Sequence, residues 1–146
     1  MSAPKTWDTI LALQAALADI RVVNGYRTDA GLRVLLDVFQ LGESDTYPTL
    51  RLVEDELDES QGNAGAVDAI TLTVEGYIEA AQDGAQRKAH DLRDDVLAAF
   101  RKIRKPRALP PPLVGLEVLS RRVLQRPEGF PYVVCQVVVR ARLVNQ

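Results

Sequence analysis

The sequence has very few of the residues that bind metals or act as nucleophiles. One cysteine and one histidine occur among its 146 residues. A single cysteine excludes an internal disulfide, and together with one histidine it leaves almost nothing for a zinc site. The chain therefore depends on a hydrophobic core. A single domain spanning residues 1–146 is long enough to bury roughly 70% of its unfolded surface.

Long hydrophobic runs and a strong net charge are also missing. No apolar run approaches the roughly 20 residues that cross a bilayer, and the start "MSAPKTWDT" lacks the apolar centre of a signal peptide. The net charge of −2 argues against a dominant affinity for nucleic acid. We therefore expect a protein that is made and folded in a cytoplasm and has no membrane partner.

The motifs of common enzymes and cofactor sites do not occur. There is no GxxxxGK(S/T) loop, GxGxxG, GxSxG, HExxH or EF-hand loop, so we predict no cofactor and no enzymatic activity. His90 lies one step off an apolar helical stripe and is predicted at the surface. Cys135 and Trp7 are predicted to pack rather than to react or bind. Adjacent helical acids point about 100° apart, so the pair at 94 and 95 is interpreted as a solvated helix face.

Two segments have the apolar spacing of amphipathic helices. In residues 6–20, Thr6 is placed to cap the start and Gly25 to end the helix, with one apolar face formed by Ile10, Leu13, Leu17 and Ile20. In residues 85–105 the same spacing recurs at Ala89, Leu92, Val96, Phe100 and Ile103.

Five segments are predicted to be strands: residues 32–39, 49–55, 67–80, 113–125 and 132–144. In the third, Gly76 falls in the apolar row, where a missing side chain lets a helix approach closely. In the last, the alternate residues from Val133 to Leu143 predict a core-facing row that includes Cys135. "LSRRVLQ" alternates poorly, which predicts a bulge.

The order of these segments predicts the fold class. Strands that follow one another directly, with helices at the ends of runs, favour an α+β domain of order α-β-β-β-α-β-β. We expect a mostly antiparallel sheet of four to five strands packed against two helices. The last two strands flank "RPEGFP" and are predicted to form a long hairpin.

Two runs of like charge are candidates for contact surfaces. "EDELDE" begins an acidic segment, residues 54–65, which is interpreted as a mobile loop; its acids are Glu54, Asp55, Glu56, Asp58 and Glu59. "RKIRKPR" follows a helix end, where only two or three cations are explained by the helix dipole. Its bases are Arg101, Lys102, Arg104, Lys105 and Arg107. The acidic run is either a solvated loop or an acidic lining or docking surface. The basic run either complements the helix dipole or contacts an acidic partner or nucleic acid.

The joint after the first helix has an unusual composition. Gly25 suits a sharp turn at positive φ, and Tyr26 is placed to lay its ring over the helix end. Thr28 and Asp29 are suited to tie the turn through side-chain to backbone hydrogen bonds. We interpret the stretch as a fold joint, with direct partner contact as the alternative.

The order of these segments resembles the tail terminator, or tail completion, proteins of long-tailed bacteriophages. The likeness spans about nine tenths of the chain and rests on "NGYRTDAG", "LRVLLDVF", "YPTLRLVEDE", "ITLTVEGYIEA", "AHDLRDDVLAAFRKI" and the hairpin "LEVLSRR" with "VVVRARL". Each phrase alone is weak, and their order carries the resemblance.

The resemblance implies a structural virion protein that assembles in the bacterial host cytoplasm as a homohexameric ring in the tail or neck. Such a ring binds the last ring of major tail tube protein, stops polymerisation and presents a surface to the head-side connector. DNA would pass through it without specific binding. The acidic segment then becomes a candidate for docking on the tube or lining the channel, and the bases 101–107 a candidate for an acidic neighbour. The alternatives are another neck or head-completion connector protein and a small nucleic-acid-binding regulatory module.

Overall fold

Two helices and five strands form the fold of this computed structural model, which describes residues 5–36, 48–59, 67–81, 83–105, 109–111 and 113–144. The helices are α1 (Lys5–Ala18) and α2 (Ala85–Ile103). The strands are β1 (Val34–Leu35), β2 (Thr49–Glu59), β3 (Val67–Glu79), β4 (Leu113–Val123) and β5 (Tyr132–Val144). The predicted α+β class and the order α-β-β-β-α-β-β are confirmed.

All five strands belong to one sheet in the order β1-β2-β3-β5-β4. Strand β1 runs parallel to β2, and the other three neighbouring pairs are antiparallel. Strands β4 and β5 form the predicted hairpin, and its register shifts between Val118 and Ser120, within the region where the sequence predicted a bulge. The sheet is therefore mostly antiparallel, with its short parallel strand at one end.

One face of the sheet packs against the helices and holds the core. The predicted apolar positions of both helices are buried, apart from the half-buried Ile103, and the alternate residues of β5 from Val133 to Leu143 are at most 4% exposed. Burying that whole row excludes apolar surface from water, which is the main stabilising contribution in a domain of this size.

Gly76 of β3 lies where α2 packs against the sheet. A Cβ placed at Gly76 would lie 2.5 Å from Leu92 Cδ2 of α2 and 2.7 Å from Cys135 Sγ of β5. Real Cβ atoms do not approach other atoms so closely, so the predicted role of the missing side chain is confirmed. The glycine sets the distance between helix and sheet.

The first helix and first strand differ from the sequence prediction. Helix α1 begins at Lys5, so Thr6 lies inside it, and it ends at Ala18, because the next two amides bond three residues back and tighten the last turn. Gly25 instead closes a short 3-10 turn, Val22–Asn24, at φ 94°. Leu32, predicted in the first strand, lies in a second such turn, Ala30–Leu32, and is 58% exposed.

Trp7 also departs from its predicted role as a packing anchor. It lies on the outer face of α1 and is 40% exposed, since the inner face is already filled by the four apolar residues at helical spacing. His90, in contrast, is exposed on α2 as predicted.

Candidate interaction surfaces

The joint between α1 and β1 is held to α2 by a buried carboxylate. Asp95 is 4% exposed. It accepts hydrogen bonds from the backbone N–H of Arg27 at 3.0 Å, from the N–H of Thr28 at 2.8 Å and from the Thr28 hydroxyl at 2.7 Å. Three donors on one carboxylate satisfy a charge that would otherwise be costly to bury. The interpretation of residues 94 and 95 as a solvated face is therefore wrong for Asp95, which points to the joint.

The remaining joint residues form additional hydrogen bonds and exposed ion pairs. Asp29 Oδ1 accepts from the N–H of Val22 at 2.8 Å and so closes the turn on itself. The ring of Tyr26 packs against the edge of the core, and burial raises the pKa of its hydroxyl. Arg27, on the outside, forms exposed ion pairs with Asp91 at 3.3 Å and Asp94 at 3.4 Å. Most of the polar groups in this segment are thus bonded to α2 or to the turn itself.

A cavity of about 500 Å³ opens beside this joint and is lined by several cations. Arg101 and Lys102 enter from α2, Arg27 from the joint and Arg121 from β4. Lys102 donates to Asp19 Oδ2 at 3.1 Å, and this hydrogen bond raises the pKa of the lysine. The basic residues predicted after α2 are thereby divided: Arg101 and Lys102 face the cavity, Arg104 and Lys105 are exposed beyond the helix, and Arg107 lies outside the described residues.

The acidic segment is a strand where the sequence predicted a loop. Glu54, Asp55, Glu56, Asp58 and Glu59 all belong to β2, which pairs with β3 as far as Glu59 opposite Asp68. Composition argued for a loop, but a partner strand that continues along β3 overrides it. A register shift between Glu54 and Glu56 marks an irregularity in this stretch. Residues 60–65 of the predicted loop lie outside the described residues.

The face of the sheet away from the helices carries a polar row that crosses four strands. Arg51 of β2 forms a salt bridge with Glu75 of β3, and Arg122 Nε of β4 donates to Gln136 Oε1 of β5 at 3.0 Å. These four residues occupy successive positions of one rung. The alternation of Thr71, Thr73, Glu75 and Tyr77 in the sequence was the available signal for this face, although it did not indicate the partners on other strands.

An aromatic cleft of about 280 Å³ lies at the end of the same face. Tyr77 and Tyr132 meet edge to face with ring centroids 6.0 Å apart, and Phe130 packs on Tyr132 at 5.8 Å. The Tyr77 hydroxyl donates to Glu75 Oε1 at 3.2 Å. Burial, followed by the charge of Glu75, raises the pKa of Tyr77 to about 12, so the hydroxyl keeps its proton and remains a donor.

The residues with potential chemical reactivity are dispersed. Cys135 is 1% exposed in the core, and burial raises the pKa of its thiol to about 12, which keeps it protonated at neutral pH. Within the described ranges no three histidine, cysteine or acidic residues cluster in a way that would hold a metal ion. Neither α1 nor α2 combines the length and apolar character that a membrane span requires. The prominent features of the described surface are therefore charged edges and clefts.

Comparison with known proteins gives a match at the level of fold. No protein-family model matches the chain, and no curated protein sequence matches it. A chain of a solved structure described as the virion of a native gene transfer agent (GTA) particle is similar, with a TM-score of 0.61 and 20% sequence identity. The alignment covers 94% of this chain and 98% of that chain. The two chains thus share a fold over nearly their whole length.

Proposed function

We propose that the chain is a structural protein of a phage-like virion that caps the head-proximal end of a tail tube as a ring. The observation that carries the proposal is the shared fold with a chain of a gene transfer agent virion, which extends over almost all of both chains. The tail-terminator-like order of sequence segments supports the more specific role.

In this role the ring consists of six copies and has two faces. One face binds the last ring of major tail tube protein and stops further polymerisation, and the other offers a surface to the head-side connector. The protein is then located at the tail or neck of the virion and assembles in the bacterial host cytoplasm. Its partners are copies of itself and other virion proteins.

DNA passes through such a ring without specific binding. Carboxylates repeated around a channel repel phosphates, which favours passage over adhesion. Neutralising the five acids of β2 to Gln or Asn tests a channel-lining or tube-docking role, because those roles require the charge. We expect impaired tail closure or DNA passage, and full infectivity of this variant would refute both roles.

Electron microscopy of particles assembled without the gene tests the proposed function directly. Overlong or irregular tails without heads are expected, because loss of a polymerisation stop lets the tube continue to grow. Tail length distributions measured beside a complemented strain provide the control.

A second candidate function is that of another neck or head-completion subunit. The similar chain comes from a structure of a whole virion particle, so the shared fold is equally consistent with a neck or head-completion role. Tails of normal length beside unjoined heads would establish it. Virions that are unaffected by loss of the gene would contradict both virion roles and leave the regulatory nucleic-acid module to be tested.

A further inference from the structure

The two long edges of the sheet lie at opposite ends of the strand order. Strand β1 pairs with β2 only at Val34–Leu50 and Leu35–Arg51. Beyond Arg51, β2 has β3 on one side and no strand on the other within the part of the chain that the structure describes. At the far end, β4 pairs with β5 alone among the described strands. Each edge offers backbone groups to another chain.

The β2 edge is strongly acidic. Five of the six residues from Glu54 to Glu59 are aspartate or glutamate, and Glu54 itself is exposed. Because these residues form a strand, the acids follow the line of the sheet edge rather than a loop free to reach a distant partner. This placement favours a partner that also presents an extended edge.

The β4 edge is predominantly basic, and one of its cations comes from the neighbouring strand. Arg121 and Arg122 lie on β4 and are exposed. Arg142 of β5 lies across Gly115 of β4: its Cβ, Cγ and Cδ are 3.6 to 3.9 Å from the position of a Cβ on that glycine. The arginine stem thus lies beside the edge strand at ordinary contact distance from Gly115. Glu117 is the exposed acid of the same strand.

The positive charge continues from the β4 edge towards α2. Arg121 lines the 500 Å³ cavity together with Arg101 of α2. Asp58, Ala69, Arg142 and Gly115 are successive partners across β2, β3, β5 and β4, whereas Arg121 lies on the rung of Leu52, so the acids of β2 and the arginines of β4 are offset along their edges.

From this arrangement we infer that copies of the chain pack head to tail, with the acidic β2 edge of one copy along the basic β4 edge of the next. The inference rests on the proposed function, since a ring requires such a contact, and it places the acids of β2 between copies in place of the channel-lining or tube-docking position. A contact between opposite edges of one subunit is heterologous, and it closes into a ring when the rotation between copies permits. Complementary charge fixes the register and disfavours β2–β2 and β4–β4 pairing.

A second copy fits the basic edge better than DNA does. Asp94 lines the same cavity and pairs with Arg27, which also pairs with Asp91. Glu117 interrupts the edge itself. The whole chain carries a net charge of −2. These acids would repel the phosphates of DNA, whose charges are evenly spaced. A strand from a second copy can place its acids opposite the arginines and away from these carboxylates.

A charge-exchange experiment with the purified full chain tests the contact. The basic-edge variant carries Arg121→Glu and Arg142→Glu, and the acidic-edge variant carries Glu54→Lys and Asp58→Lys. A control with Arg87→Glu and Lys88→Glu makes the same change in net charge as the basic-edge variant, on the exposed first turns of α2. Sedimentation and native mass spectrometry at low salt measure self-association, and circular dichroism verifies folding.

We expect each edge variant alone to self-associate on the order of 100-fold more weakly than the wild type, because like charges then face each other. The control should associate as the wild type does. An equimolar mixture of the two edge variants should recover association, with the variants alternating and an even number of copies in each ring.

Four outcomes would overturn the inference: a wild-type chain that stays monomeric at every concentration, edge variants that associate like the control, a mixture that shows no recovery, or salt-dependent binding of a DNA duplex in place of self-association. If an edge variant does not fold, Arg121→Gln with Arg142→Gln and Glu54→Gln with Asp58→Gln replace them; each should weaken association and flatten its salt dependence. Normal tails without the gene would refute the proposed function, whereas failed recovery in the mixture would refute only this contact.

Discussion

Substitution of Gly76 by alanine should destabilise the fold although it adds only one methyl group. The new Cβ would lie 2.5 Å from Leu92 Cδ2 and 2.7 Å from Cys135 Sγ. Both neighbours are at most 1% exposed in the core, so neither can move into solvent. Overpacking of a filled core costs about 1–3 kcal/mol. The lower entropy of an unfolded alanine chain returns about 0.4–1 kcal/mol. The expected net loss of unfolding free energy is therefore about 1–2 kcal/mol by these two magnitudes.

Urea denaturation followed by circular dichroism measures this loss as a lower midpoint with an unchanged slope. Gly115→Ala is the matched control, because the atoms nearest its new Cβ are 3.6 Å away, an ordinary contact distance. Its unfolding free energy should stay within about 0.5 kcal/mol of the wild type. Combining Gly76→Ala with Leu92→Val, which removes the contacting methyl, should cost less than the sum of the single changes. A Gly76→Ala variant as stable as the wild type would refute the close approach of α2.

Two further predictions concern buried groups of the fold. Asp95→Ala should lower the unfolding free energy by about 3 kcal/mol, since it removes the acceptor of two backbone N–H groups. Asp95→Asn should cost less, because the amide keeps one oxygen that can accept a hydrogen bond. Equal losses in the two variants, measured by urea denaturation, would contradict the role of that oxygen. The pKa of Cys135 is raised from 9.0 to about 12, so the unfolded thiol ionises first and stability should fall as pH rises from about 9 to 12. Cys135→Ala should flatten that part of a stability profile measured by denaturation at each pH, and an unchanged slope would show that other groups cause the loss.

The parts of the fold that could be predicted are those with a strong local period. In β5, the alternate residues from Val133 to Leu143 face the core, and the prediction of residues 132–144 matches the strand to the residue. In α2, apolar residues at helical spacing coincide with the buried face. Local periodicity reports burial directly, because one face of each element must be removed from water.

The parts that failed depend on partners that are distant in sequence. "EDELDE" reads as a loop by composition, but a complete partner strand in β3 keeps it extended. Asp95 reads as solvated beside Asp94, but its hydrogen bonds go to residues 67 and 68 positions away in the chain. The spacing of residues within one helix cannot predict such distant partners. The visible signal was only that acids at 91, 94 and 95 share one side of α2.

The proposed contact between copies illustrates the same limit at the level of function. The sequence shows one acidic and one basic run, and the basic run was identified with the residues after α2. Strand order assigns the second surface differently: β4 becomes the edge opposite β2, and Arg121, Arg122 and Arg142 become its cations. Arg142 joins them because it lies opposite Gly115, a relation between two strands in a shifted register. Complementary edges are thus a property of topology, and a charge count along the chain cannot reveal them.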